Sequence, residues 1–124
     1  MRGASVLVID DDEDLGQVIE EVLAAEGYEV RRATSMRDGL LAVDEREPRL
    51  VLLDWCLPDG DLEDLARLLH DRGVPVVLTS GDDRAIERGQ RIGAVAVLGK
   101  PFDLDELLRV MAAHTGGDER HVSP

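Results

Sequence analysis

The chain has 124 residues, 44% of them hydrophobic and 33% charged, which predicts one globular domain with its own core rather than a disordered segment. Its net charge of −13 at pH 7 argues against direct binding to nucleic acid or to an anionic membrane. Cys56 is the only cysteine, and neither a signal peptide nor a membrane-length apolar run is recognisable, so we expect a cytoplasmic protein without an internal disulfide.

Short apolar runs alternate with longer amphipathic segments along the whole chain. The runs predict strands and the segments with helical spacing predict helices. In chain order we expect a strand at 6–9, a helix at 13–26, a strand at 28–33, a helix at 36–46, a strand at 50–54, a turn at 57–61, a helix from 62 to a stop at Gly73, a strand at 74–80, a short polar helix at 82–93, a strand at 94–98, and a last helix that begins at a capping box of Asp103 and Glu106.

The strict alternation of five strands and five helices predicts the fold class. Continuous runs of valine, leucine and isoleucine separated by helices are typical of a parallel sheet covered on both faces. At this length a doubly wound α/β fold fits, and right-handed crossovers leave few alternatives. We expect a single domain over residues 1–124, with its core at about 5–112 and a flexible tail at 113–124.

Polar side chains stand where the predicted strands end, and doubly wound folds place their sites at that edge. These residues are Asp10, Asp11, Asp54, Thr79, Ser80 and Lys100. Carboxylates grouped in one crevice stay ionised only beside a cation, and an oxygen-only set of this kind suits Mg²⁺. Asp12, Glu13 and Asp14 are instead expected to cap the first helix and to interact with its dipole.

Lys100 is the only lysine in a chain whose other basic residues are all arginines. The position either received a lysine by chance or needs a compact ammonium on a flexible stem. The sequence up to this point leaves both interpretations open.

Four segments, VLVIDDDEDL, LVLLDWCLPDG, VPVVLTSG and GAVAVLGKPF, resemble in this order the receiver domain of two-component response regulators. The resemblance covers about residues 5–112 and implies a flavodoxin-like sheet with strand order 2-1-3-4-5. It implies a signalling switch rather than an enzyme, similar to a stand-alone chemotaxis regulator. The implied partners are a histidine kinase or a histidine-phosphotransfer protein and an unknown downstream protein, with the chain a monomer or weak dimer.

The same resemblance assigns the catalytic roles. It makes Asp54 the acceptor of a phosphoryl group from a phosphohistidine, and Lys100 the cation that contacts Asp54 and then the phosphoryl oxygens. Ser80 becomes the switch hydroxyl that moves to the phosphoryl group, with Thr79 as the fallback. The bond between Lys100 and Pro101 is expected to be cis.

The resemblance also assigns a metal site. Asp10, Asp11 and Asp54, together with the backbone carbonyl of Cys56, are the implied ligands of Mg²⁺, for which Mn²⁺ can substitute. One departure concerns switching, because the family's usual aromatic residue three positions before the lysine is here Val97. A valine cannot swing a ring between buried and exposed positions.

Two other functions compete with the receiver. A small phosphohydrolase of the haloacid dehalogenase type would use Asp10, since Asp10-x-Asp12 follows a first strand, but it leaves Asp54 without a role. A degenerate receiver that serves only as an interaction module conflicts with the intact acids, Ser80 and Lys100. The arginines at 84, 88 and 91 are interpreted as a solvated face of the polar helix, or alternatively as a docking surface.

Overall fold

The computed structural model describes residues 3–56 and 62–115, and strands and helices alternate strictly through them. The elements are β1 (Ser5–Ile9), α1 (Glu13–Ala25), β2 (Glu29–Ala33), α2 (Met36–Glu45), β3 (Leu50–Asp54), α3 (Leu62–Asp71), β4 (Val76–Ser80), α4 (Ala85–Ile92), β5 (Ala96–Gly99) and α5 (Leu104–His114). The turn expected at 57–61 and residues 116–124 of the expected tail lie outside the described residues. In the part of the chain that is described, no helix is long and apolar enough to cross a membrane.

The five strands form one parallel sheet in the order β2-β1-β3-β4-β5. This order confirms the doubly wound α/β fold and the strand order 2-1-3-4-5 that were predicted. The order of the strands, all of them parallel, reverses at β1, which has β2 on one side and β3 on the other. Doubly wound folds bind their ligands outside the carboxyl ends of the strands at such a switch point. A ligand site is therefore expected at the carboxyl ends of β1 and β3.

Alternating strand residues supply two core layers, one on each face of the sheet. Leu7, Ile9, Val51 and Leu53 face α2 and α3, whereas Val6, Val8, Leu50 and Leu52 face α1 and α5. All eight side chains are 0–2% exposed. Burial on both faces explains why these strands are continuous apolar runs rather than alternating polar and apolar ones.

Strands β4 and β5 each begin two residues later than predicted, because the preceding helix ends use the intervening residues. The amide of Val74 donates to the Leu69 carbonyl, and the amide of Ala94 donates to the Gly89 carbonyl. Gly73 precedes the first of these and adopts a left-handed φ of 73°. Such bonds satisfy the last free carbonyls of a helix, so the residues remain part of its cap.

Two helix boundaries also differ from the predicted ones. Helix α4 begins at Ala85 rather than at 82. The amide of Asp82 donates to Ser80 Oγ and that of Arg84 to Asp82 Oδ1, so side-chain acceptors replace helical ones over this stretch. At the other end of the chain, α5 continues to His114 and Thr115 is 1% exposed. Helix α5 thus extends into the expected tail, and Thr115 is buried against the domain.

Candidate functional site

Three carboxylates meet at the carboxyl edge of the sheet. Asp54 ends β3, and Asp10 and Asp11 follow β1, its neighbour. Each of the three offers an oxygen within 4.8 Å of the others. Asp54 and Asp10 are only 2% and 5% exposed, whereas Asp11 is exposed. The cluster therefore has a buried floor of two acids and a third acid that is open to solvent.

Lys100 reaches the two buried acids of this cluster. Its Nζ lies 3.2 Å from Asp10 Oδ2 and 3.3 Å from Asp54 Oδ1. The backbone positions the residue, because the Lys100 amide donates to the Ser80 carbonyl directly after β5 ends. Burial by itself lowers the pKa of Lys100, but the carboxylates of Asp10 and Asp54 outweigh that effect and raise it above its usual value. The ammonium is therefore fully charged at neutral pH.

Asp54 has a pKa above its ordinary value, and burial is the main cause. The Cys56 amide donates to Asp54 Oδ1 at 3.1 Å and opposes this shift, the charge of Asp10 adds to it, and Lys100 opposes it further. The site thus contains three carboxylates and one ammonium, which contacts two of them. Such an excess of oxygen-borne negative charge fits a hard divalent cation, for which carboxylate, carbonyl and water oxygens are the preferred ligands.

The two hydroxyl candidates lie at the end of β4 and make different contacts. Thr79 pairs in register with Asp54, and its Oγ1 is 3.5 Å from the Leu53 carbonyl within the sheet. Ser80 is 1% exposed, and its Oγ accepts the Asp82 amide at 3.0 Å. The Thr79 hydroxyl is therefore directed to the sheet backbone, while that of Ser80 is tied to the loop that leads into α4.

Next to the acid cluster, Arg88 makes contacts that sequence reasoning missed. Its guanidinium carbon lies 4.6 Å from the centroid of the Trp55 ring, and its Nη2 lies 3.2 Å from Asp82 Oδ2. Arg84 and Arg91 are exposed as expected, but the Arg88 side chain is only 26% exposed, so the interpretation of all three as solvated was wrong for Arg88. No signal in the sequence links α4 to a residue after β3.

Three further features near the site concern the Lys100–Pro101 bond, Cys56 and Asp12. The bond between Lys100 and Pro101 is cis, as the resemblance implied. Cys56 is exposed, and its amide rather than its thiol contacts the site. The role of its carbonyl as a metal ligand stays a prediction. Asp12 caps α1 by accepting the Leu15 amide at 3.1 Å, as expected for a residue outside the acid cluster.

Comparison with known proteins identifies relatives that share this fold. The family model of the response regulator receiver domain matches residues 6–112. The transcriptional regulatory protein GltR of Pseudomonas aeruginosa is 35% identical over an alignment that covers 86% of this chain and 47% of GltR. The chain thus spans about half the length of that relative.

Solved structures are similar over almost the whole chain. NtrX from Brucella abortus superposes with a TM-score of 0.84 at 33% identity, covering 98% of this chain and 29% of NtrX. A CheY-like response regulator receiver domain protein from Methanospirillum hungatei JF-1 gives a TM-score of 0.85 at 25% identity, covering 96% of this chain and 98% of the other.

These matches give no support to the haloacid dehalogenase alternative. The family model covers all five strands apart from Ser5, together with the cluster of Asp10, Asp11 and Asp54 and with Lys100. The doubly wound sheet and its strand order agree with this assignment. The chain therefore belongs to the response regulator receiver domains, the switches of two-component signal transduction.

Proposed function

We propose that Asp54 accepts a phosphoryl group from the phosphohistidine of a histidine kinase or a histidine-phosphotransfer protein. One observation carries this proposal: Asp54 is a buried carboxylate in direct contact with the ammonium of Lys100 and within 4.8 Å of Asp10 and Asp11. An ionised carboxylate needs no general base to act as a nucleophile. The transfer needs instead a neutralisation of charge on the equatorial phosphoryl oxygens.

The proposed transfer is a displacement at phosphorus. A carboxylate oxygen of Asp54 attacks phosphorus while the bond from phosphorus to the donor imidazole nitrogen breaks. The electron pair of that bond returns to the imidazole, which takes a proton from solvent. Lys100, already 3.3 Å from Asp54 Oδ1, needs only rotations of its flexible stem to follow the phosphoryl oxygens. The product is an acyl phosphate on the chain itself, which makes the domain a switch whose only chemistry is its own phosphorylation and dephosphorylation.

We further propose that Asp10, Asp11, Asp54 and the Cys56 carbonyl hold Mg²⁺, with Mn²⁺ as a substitute. The donor set consists of oxygen atoms alone, which suits Mg²⁺. Lys100 supplies one positive charge to a cluster of three carboxylates, so two negative charges remain for a cation to neutralise. When bound, the ion supplies positive charge to the phosphoryl oxygens. Asp11 is the exposed member of the cluster and so offers the entry side.

The output of the switch is proposed to be contact with a downstream protein or onward transfer of the phosphoryl group. The net charge of −13 favours protein partners over nucleic acid, and we place the domain in the cytoplasm as a monomer or weak dimer. Ser80 is the proposed switch hydroxyl, because its Oγ is tied to the loop before α4 and a rotation would transmit movement there. Thr79 is the fallback.

The proposed function predicts one added phosphoryl group per chain after incubation with acetyl phosphate and Mg²⁺. Intact-mass spectrometry measures the gain, and EDTA should prevent it because the equatorial charge is then uncompensated. Hydroxylamine should remove the group, since it cleaves acyl phosphates. Rapid multiple-turnover release of phosphate that depends on Asp10 and not on Asp54 would overturn the proposal in favour of a phosphohydrolase.

The metal site predicts that Mg²⁺ raises the melting temperature of the unphosphorylated protein. A ligand at about 100 times its Kd that binds only the folded state adds about 2.7 kcal/mol, which is several degrees for a domain of this size. Asp11→Asn should lose most of the shift, as measured by scanning fluorimetry over a Mg²⁺ titration. The control is Asp14→Asn, an exposed acid of the first turn of α1, which should keep the full shift. Equal shifts in both variants would contradict the site.

A further inference from the structure

Arg88 of α4 connects two segments that meet only in the tertiary structure. Its guanidinium stacks on Trp55, the residue directly after Asp54, with 4.6 Å between the guanidinium carbon and the ring centroid. It also pairs with Asp82 Oδ2 at 3.2 Å. Trp55 is itself held against β4, because its amide donates to the Thr79 carbonyl at 2.9 Å. Arg88 is therefore an immediate neighbour of the segment that carries the acceptor.

The Arg88 guanidinium has one hydrogen-bond donor without an acceptor among the described residues. Among the described residues, its Nε is buried and has no hydrogen-bond partner. A buried polar group without a partner favours any conformation that returns it to water. The inward position of Arg88 is thus maintained by the Trp55 stack and the Asp82 pair, and weakening either contact favours release of the side chain.

Asp82 extends this connection to Ser80. The Asp82 amide donates to Ser80 Oγ at 3.0 Å, while its carboxylate accepts the Arg84 amide through Oδ1 and pairs with Arg88 through Oδ2. The Ser80 hydroxyl thereby orients the residue that holds Arg88. Movement of Ser80 Oγ toward Asp54 would withdraw the acceptor from the Asp82 amide and loosen the pair with Arg88.

The tight packing between α4 and β5 argues against a switch in which movement of Val97 transmits the change to α4. A β-carbon placed on Gly89 would overlap Cγ2 of Val97, so the helix lies directly against the strand there. A β-branched side chain in such a contact is restricted at χ1 and carries no ring to reorient. Among the side chains described at this end of α4, Arg88 is the one with contacts both to Trp55 and to Asp82.

We propose that Arg88 is the switch element of this receiver: it anchors α4 while Ser80 Oγ holds the Asp82 amide, and it is released when Ser80 turns to the phosphoryl group on Asp54. This inference rests on the proposed function of Asp54 for its trigger. The contact network itself does not depend on phosphorylation and can be tested without it.

The test is a double-mutant cycle of Ser80→Ala and Arg88→Met in the unphosphorylated protein, read as amide hydrogen exchange of α4. Methionine keeps an unbranched apolar chain on Trp55 and removes the charge. Loss of a stacked, paired guanidinium should speed exchange of Ala85–Ile92 about tenfold. Ser80→Ala should have a similar effect alone and almost none when added to Arg88→Met.

The matched control is Arg91→Met, which removes an exposed arginine from the same helix. Arg91 pairs with Glu63 of α3 at 3.4 Å and has no contact to the Asp82 loop among the described residues. Ser80→Ala should still speed α4 exchange about tenfold in this background. Equal effects of Ser80→Ala with and without Arg88 would overturn the proposal. If Arg88→Met loses helical circular dichroism, Arg88→Gln, another uncharged residue of high helix propensity, replaces it in the same cycle.

Phosphorylation with acetyl phosphate tests the role of Arg88 separately from the function of Asp54. Parent and Arg88→Met should show the same mass gain, but phosphorylation should speed α4 exchange only in the parent. A mass gain with an unchanged exchange pattern in the parent would overturn the switch role and leave the phosphoacceptor intact. A coupled mutant cycle without any mass gain would instead contradict the function of Asp54 and, with it, control of Arg88 by phosphorylation.

Discussion

Asp54→Asn will take up no phosphoryl group from acetyl phosphate and Mg²⁺, whereas the parent will take up one. The amide is isosteric with the carboxyl group but is not a nucleophile, so the loss should exceed a thousandfold and reach the detection limit of intact-mass spectrometry. The buried cluster of Asp10, Asp54 and Lys100 keeps its shape in this variant, because Lys100 retains its contact with Asp10.

The control for this variant is Asp12→Asn. Asp12 caps α1 and lies outside the acid cluster, and asparagine caps as well as aspartate does, so this variant should be phosphorylated like the parent. A mass gain that survives in Asp54→Asn and disappears in Asp12→Asn would reverse our assignment of the acceptor.

The loss in Asp54→Asn will not come from unfolding. Burial raises the pKa of Asp54, so ionising this carboxyl destabilises the folded state. That cost is fully present above the folded-state pKa and is relieved as the pH falls toward the ordinary value of 3.8. Asparagine removes the cost at neutral pH. Urea denaturation without Mg²⁺ should therefore give an unchanged or higher free energy of unfolding, by up to about 1 kcal/mol.

Lys100→Arg, although it conserves charge, will fold normally and fail to switch. Lys100 Nζ lies 3.2 Å from Asp10 and 3.3 Å from Asp54, a position for one compact cation between two carboxylates. A planar guanidinium on a longer side chain cannot occupy the same point and then follow a phosphoryl group. We expect about a tenfold slower uptake from acetyl phosphate. At full phosphorylation the variant should show none of the change in Trp55 emission that we expect in the parent when Arg88 leaves the Trp55 ring.

The control for the lysine is the reverse exchange at an exposed position, Arg91→Lys, which should respond like the parent. Emission is measured before and after Mg²⁺ and again after acetyl phosphate, so that binding of the metal and phosphorylation are read separately. A parental emission change in Lys100→Arg would show that any cation suffices, and that the lysine stands at this position by chance.

Much of the fold was predictable from local patterns. The apolar runs before Asp10 and Asp54 are buried on both faces, as is typical of a parallel sheet with helices on both sides. The alternation of elements then fixes where the carboxyl ends lie, which is why residues far apart in sequence could be expected at one edge. The capping roles of Asp12 and Asp103 were also predictable, because a cap depends on the next three residues alone.

Helix and strand boundaries were less predictable. The start of α4 depends on Ser80 Oγ and the Asp82 carboxylate, which compete as acceptors with the helix backbone. The end of α5 depends on Thr115, which is buried with its Oγ1 3.5 Å from the hydroxyl of Tyr28. These boundaries depend on side-chain contacts that the periodicity of the sequence does not reveal.

The sequence by itself determined the sheet, the family and the set of acids and the lysine at the strand ends, because periodicity and strand-terminal residues are local properties. The tertiary structure alone decided how those groups meet. It brings the carboxylate oxygens of the three acids within 4.8 Å of one another and places Lys100 against the two buried ones. It also stacks Arg88 on Trp55. Contacts between residues 33 or 90 positions apart depend on how helices pack on the sheet, and that packing is a property of the whole domain.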